Sequence, residues 1–85
     1  MRAIRFDPDA WDEFIEWNNR DRKTWLKIVD LINEVVRTPF EGKGKPEPLK
    51  HQPKGYWSRR IKQEHRLIYK ATDEEVVIIS CEGHY

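Results

Sequence analysis

The hydrophobic period of this chain changes once, and the change limits what it can fold into. Up to residue 36 the apolar side chains recur at helical spacing, and from Tyr56 onward they alternate. Trp25, Ile28, Val29, Ile32, Val35 and Val36 fall at i, i+3, i+4, i+7, i+10 and i+11, one face of a helix. Leu26 and Leu31 widen that stripe. Thr38-Pro39 ends it, because the residue before proline is disfavoured in helical conformation. Upstream, Trp11, Phe14, Ile15 and Asn18 share a second helical face, with Asp9, Asp12, Glu13 and Glu16 outside it. Asp7-Pro8 gives this helix an N-cap and a first-turn proline. The acids at its start suit the helix macrodipole. Asn18-Asn19-Arg20-Asp21 reads as the turn between the helices, and Ile4-Arg5-Phe6 as a short strand before them.

Residues 39–55 hold four prolines and three glycines, so they read as a loop, with a short extended piece at 48–51. Residues 56–61, 66–71 and 76–81 read as strands joined by hairpin turns. Val76-Val77-Ile78-Ile79 is apolar on both faces, as an interior strand would be. Arg59 and Arg60 have opposite pleat parity and point to opposite faces. The expected fold is α+β in the order β-α-α-β-β-β: one domain over residues 1–85, an antiparallel sheet with a helical hairpin packed on one face.

Eighty-five residues leave a thin stability margin, so self-association is expected. One cysteine excludes an intramolecular disulfide framework, and Cys81 reads as a small buried group. No apolar run approaches the roughly 20 residues of a membrane span, and Met1-Arg-Ala-Ile-Arg lacks the apolar core of a signal peptide. A cytoplasmic protein is the expectation. The net charge of +1 conceals a polarity: residues 43–70 carry nine Lys/Arg against two acids. Such a block either meets a polyanion or is paired with the acidic helices.

The chemistry-bearing residues are Glu47 in the Lys/Pro-rich loop, Arg60 and Arg66 on the following strands, and His84-Tyr85 at the end of the sequence. His51 and His65 are not spaced as metal ligands, and no metal or cofactor is expected. A carboxylate, guanidiniums and an imidazole are what cleavage of an RNA phosphodiester without a metal requires. A base takes the 2′-OH proton, an acid protonates the leaving oxygen, and cations neutralise the phosphate. Taken singly, Glu47 also reads as a loop glutamate balancing a lysine, and His84 as a surface histidine.

The run Arg37-Thr38-Pro39-Phe40-Glu41-Gly42-Lys43-Gly44-Lys45-Pro46-Glu47-Pro48-Leu49-Lys50 resembles the YoeB toxins of the RelE/ParE superfamily. The likeness continues through Gly55-Tyr56-Trp57-Ser58-Arg59-Arg60-Ile61 and Glu64-His65-Arg66-Leu67-Ile68-Tyr69, and returns at His84-Tyr85. It implies a bacterial toxin of a type II toxin–antitoxin pair, often dimeric, that enters the ribosomal A site and cuts the mRNA there. It implies a YefM-type antitoxin as partner, with operator DNA bound only through the antitoxin complex. By this likeness Glu47 is the general base, His84 the general acid and Arg66 the phosphate-binding cation. Lys50, Arg60 and Tyr85 support them, and Lys43 and Lys45 contact RNA backbone. The family commonly carries an arginine and an aromatic before His-Tyr, where this chain has Glu82-Gly83. That exchange predicts a weaker or differently tuned nuclease. Two other readings stay open: a non-nucleolytic toxin on the same fold, such as a gyrase poison, and a co-repressor acting only with its antitoxin.

Overall fold

The computed structural model describes residues 1–50 and 55–83. The elements are β1 (Ala3–Phe6), α1 (Pro8–Arg20), α2 (Arg22–Arg37), β2 (Glu47–Pro48), β3 (Tyr56–Lys62), β4 (His65–Ala71) and β5 (Glu75–Ser80). The strands form one sheet in the order β1-β5-β4-β3-β2. β2 to β5 pair antiparallel, as expected. The expectation of a wholly antiparallel sheet needs one correction: β1 runs parallel to β5, Ile4 opposite Val76, so the sheet is mixed. The helical hairpin and β2 to β4 lie between the two strands in the chain, the long connection that parallel pairing requires.

The hairpin is tighter than a four-residue turn. α1 runs through Arg20, leaving Asp21 alone between the helices. Asp21 does two jobs. Its N–H donates to Trp17 O (2.8 Å), closing α1. Its carboxylate accepts from Thr24 N (3.2 Å) and Thr24 Oγ1 (2.7 Å), capping α2. Lys62 Nζ from β3 reaches the same carboxylate at 3.2 Å. The bonds from Thr24, then Lys62, hold the Asp21 carboxyl down at about 2. At the start of α1, Asp7 stands at the N-cap with extended backbone but makes no side-chain capping bond, and Pro8 supplies the helical φ.

The core lies between hairpin and sheet. Ala10, Trp17, Ile28, Leu31, Ile32, Val35 and Val36 pack from the helices onto Ile61, Leu67, Tyr69, Val76 and Ile78. Trp17 is a core residue, 2% exposed, with Nε1 donating to Cys81 O at 2.8 Å. Leu26, expected to widen the apolar face of α2, lies outside it, as do Trp11 and Ile15 of α1. Glu13, expected on the outer face of α1, instead accepts from Cys81 N (2.8 Å) and Ser80 Oγ (3.1 Å). α1 therefore holds the end of β5 as well as covering it. The Cys81 thiol is buried beside Glu13 and Glu82 and is pushed up to about 12, so it stays protonated. No helix among the described residues is long and apolar enough to cross a membrane.

Candidate active site

The segment between α2 and β2 would be a loose loop by composition; Arg59 makes it a rigid bracket. Arg59 is fully buried, on the helix-facing side of β3. Its Nη1 donates to Glu34 Oε1 (2.6 Å) and Lys43 O (3.2 Å). Its Nη2 donates to Glu41 O (2.9 Å) and to Thr38 O. Its Nε donates to the Tyr69 hydroxyl (3.2 Å), which in turn donates to Pro39 O (2.5 Å). A buried charge is tolerated only when paired and hydrogen-bonded throughout, and this one is. Burial pushes the Tyr69 hydroxyl up, keeping it a neutral donor. The Lys43 N–H, 2.5 Å from Glu34 Oε1, holds the Glu34 carboxyl below its usual range, with Arg59 reinforcing it. Gly42 has φ +119°, and a Cβ there would lie 1.9 Å from Glu34 Oε1, so glycine is required. Gly44 O then accepts from Arg60 N (2.7 Å), zipping the loop to β3.

This bracket delivers Glu47 to the sheet edge, opposite Ser58. Two residue pairs along β3 and β4, Arg60 stands opposite Arg66. Alternation puts Glu47, Ser58, Arg60 and Arg66 on the face away from the helices, since the intervening Arg59 and Leu67 point inward. Arg66 Nη1 lies 3.4 Å from both Glu47 Oε1 and Ser58 Oγ. These are long contacts, and the pair is open to solvent, the Glu47 side chain 62% exposed and that of Arg66 25%. A carboxylate and a guanidinium thus stand side by side without being locked together.

Of the other residues singled out in the sequence, Lys50 is exposed just beyond β2. Lys43 and Lys45 join Arg60 around a cavity of about 220 Å³, with Lys27 and Asp30 of α2 in its wall. Lys43 Nζ is 3.1 Å from Asp30 there. His84, Tyr85 and His51 lie outside the described residues. Three neighbouring residues carry no clear signal in the sequence: Ser58, buried beneath Arg66; Lys27, in the cavity wall; and His65. Ser58 shares pleat parity with Arg60, which would have placed it. His65 begins β4, and its Nδ1 accepts from Gly83 N at 2.9 Å. Glu82 is 3.4 Å from Arg20 of α1. Among the described residues, no three His, Cys, Asp or Glu side chains gather as a metal-binding group.

This arrangement is that of a small α+β protein with a basic sheet face, and comparison with known proteins gives its class. The pattern of the YoeB-like toxins of bacterial type II toxin–antitoxin systems matches residues 6–85. A Toxin YoeB from Mycobacterium bovis is 54% identical over 85 residues, all of both chains. Among solved structures, the YoeB dimer from Staphylococcus aureus superposes with a TM-score of 0.93 at 41% identity, over 99% of this chain and 98% of that one. The YoeB–YefM complex from the same organism gives 0.88 at 40% identity, over 100% of this chain and 99% of that one. The chain belongs to the family of YoeB-like toxins of type II toxin–antitoxin systems.

Proposed function

We propose that this toxin is a ribosome-dependent endoribonuclease that cuts mRNA in the A site and so stops translation. The observation that carries the reading is the open Glu47–Arg66 pair beside Arg60 on the exposed sheet face. Glu47 takes the proton of a ribose 2′-OH, and the freed oxygen attacks the adjacent phosphorus. Arg66 donates to the non-bridging oxygens, where charge accumulates, through a planar fork that lysine cannot reproduce. His84 gives its proton to the departing 5′-oxygen, a role suited to an imidazole of ordinary pKa about 6.5. The products are a 2′,3′-cyclic phosphate, opening to a 3′-phosphate, and a 5′-hydroxyl. Side chains alone perform every step.

Arg60, Lys50, Lys43 and Lys45 hold neighbouring phosphates, and Tyr85 stacks on a base. The partner is an antitoxin of the YefM type, as in the Staphylococcus aureus complex, with operator DNA reached through that complex; the free toxin is a homodimer in the bacterial cytoplasm. The test is primer extension on programmed ribosomes. Wild-type protein cuts in the A-site codon, and Glu47→Ala and His84→Ala each lower the rate by about 10²- to 10⁴-fold. Intact mRNA from folded wild-type protein contradicts the reading and turns attention to gyrase-linked DNA breaks.

A further inference from the structure

The segment after β5 ends its described part in an unusual clamp. Gly83 N donates to His65 Nδ1 (2.9 Å), and Gly83 O accepts from Arg66 N (2.8 Å). Two consecutive residues of β4 thus hold both polar groups of one glycine, one by side chain and one by main chain. Gly83 has φ +76°, a left-handed conformation that a residue with a Cβ rarely adopts. His65 is itself held: its ring packs edge-on against Trp17, centroids 4.9 Å apart, and Trp17 donates to Cys81 O two residues before Gly83. With Nδ1 accepting, the neutral imidazole carries its proton on Nε2. Glu13 and Arg20 fasten Cys81 and Glu82 to α1, so residues 81 to 83 are all tied down.

The next residue is His84. We infer that His65 is a positioning residue for the reaction: it fixes Gly83 beside Arg66, and so anchors the backbone from which His84 follows in sequence. This rests on the reading of His84 as general acid. It also gives Glu82-Gly83 a physical account. The glycine is held in place by the His65 and Arg66 bonds, and the Glu82 anion is turned toward Arg20.

Two variants separate anchoring from packing. His65→Phe keeps an aromatic ring against Trp17 and removes the acceptor; His65→Asn loses the ring and keeps an oxygen near the Nδ1 position. On programmed ribosomes, His65→Phe should lower kcat by about 10- to 100-fold, the effect of small misplacements at a reacting centre. KM should stay within about twofold, and His65→Asn should retain most of the activity. In a His84→Ala background, His65→Phe should cause no further loss, because the group it positions is gone. Loss with His65→Asn but not with His65→Phe makes the role one of packing and overturns the inference. Losses that add in the double variant overturn it too, since His65 then acts independently of His84. If His84→Ala alone cleaves like wild type, the general-acid reading fails and this inference falls with it.

Discussion

Arg60 and Arg66 face each other directly across the β3–β4 ladder. Like charges in that relation destabilise a sheet, and their cost falls when an anion sits between them. Glu47 is near enough to Arg66 to soften the repulsion, yet at 3.4 Å and well exposed it leaves the guanidinium free to meet a phosphate. Arg60→Gln should therefore raise the stability of the free toxin by about 0.2–1 kcal/mol in denaturant unfolding while weakening its cleavage of ribosome-bound mRNA. A variant less stable than wild type would show that the pair carries no repulsive strain. The opposite faces of Arg59 and Arg60 were legible from alternation alone. The burial of Arg59 was not, because its partners are mostly carbonyls of a loop, which leave no mark in side-chain sequence. His65 was hidden for a similar reason: it bonds a backbone N–H 18 positions away.

At the scale of elements, two junctions carry the architecture. Asp21 joins α1, α2 and Lys62 of β3. Its folded pKa, about 2, lies below its ordinary 3.8, so its stabilisation is present at neutral pH and is lost as pH falls through the folded value. Asp21→Asn should thus be less stable than wild type at pH 7, with the gap closing toward pH 2 in parallel denaturation curves. Arg59 is the second junction, binding α2, the 38–43 loop and β4 around one guanidinium. Arg59→Ala leaves Glu34 and three loop carbonyls without their donor and should cost about 3–5 kcal/mol in equilibrium unfolding. A loss under about 1 kcal/mol would mean that the loop holds its shape without it. Helices and long strands were readable because their periods are local. The parallel pairing of β1 with β5 was not, since nothing within β1 specifies a partner 72 residues away. β2 is two residues long, too short to show a period, and exists because the Arg59 bracket sets Glu47 against β3.

For the molecule as a whole, the sheet separates two functions. Its inner face and the hairpin make the core, while its outer face gathers Glu47, Ser58, Arg60 and Arg66. The acidic helices do neutralise part of the basic half: Asp30 meets Lys43, Asp21 meets Lys62 and Glu34 meets Arg59. Pairing with the acidic helices thus accounts for Lys43, Arg59 and Lys62 of the basic block. The central claim is that the outer face activates a ribose 2′-OH. Its most direct test is an mRNA on programmed ribosomes with a single 2′-deoxy nucleotide immediately 5′ of the mapped cut. The account predicts that this position resists cleavage while the all-ribose message is cut to a 5′-hydroxyl product. Cleavage of the deoxy position at the ribose rate would contradict it.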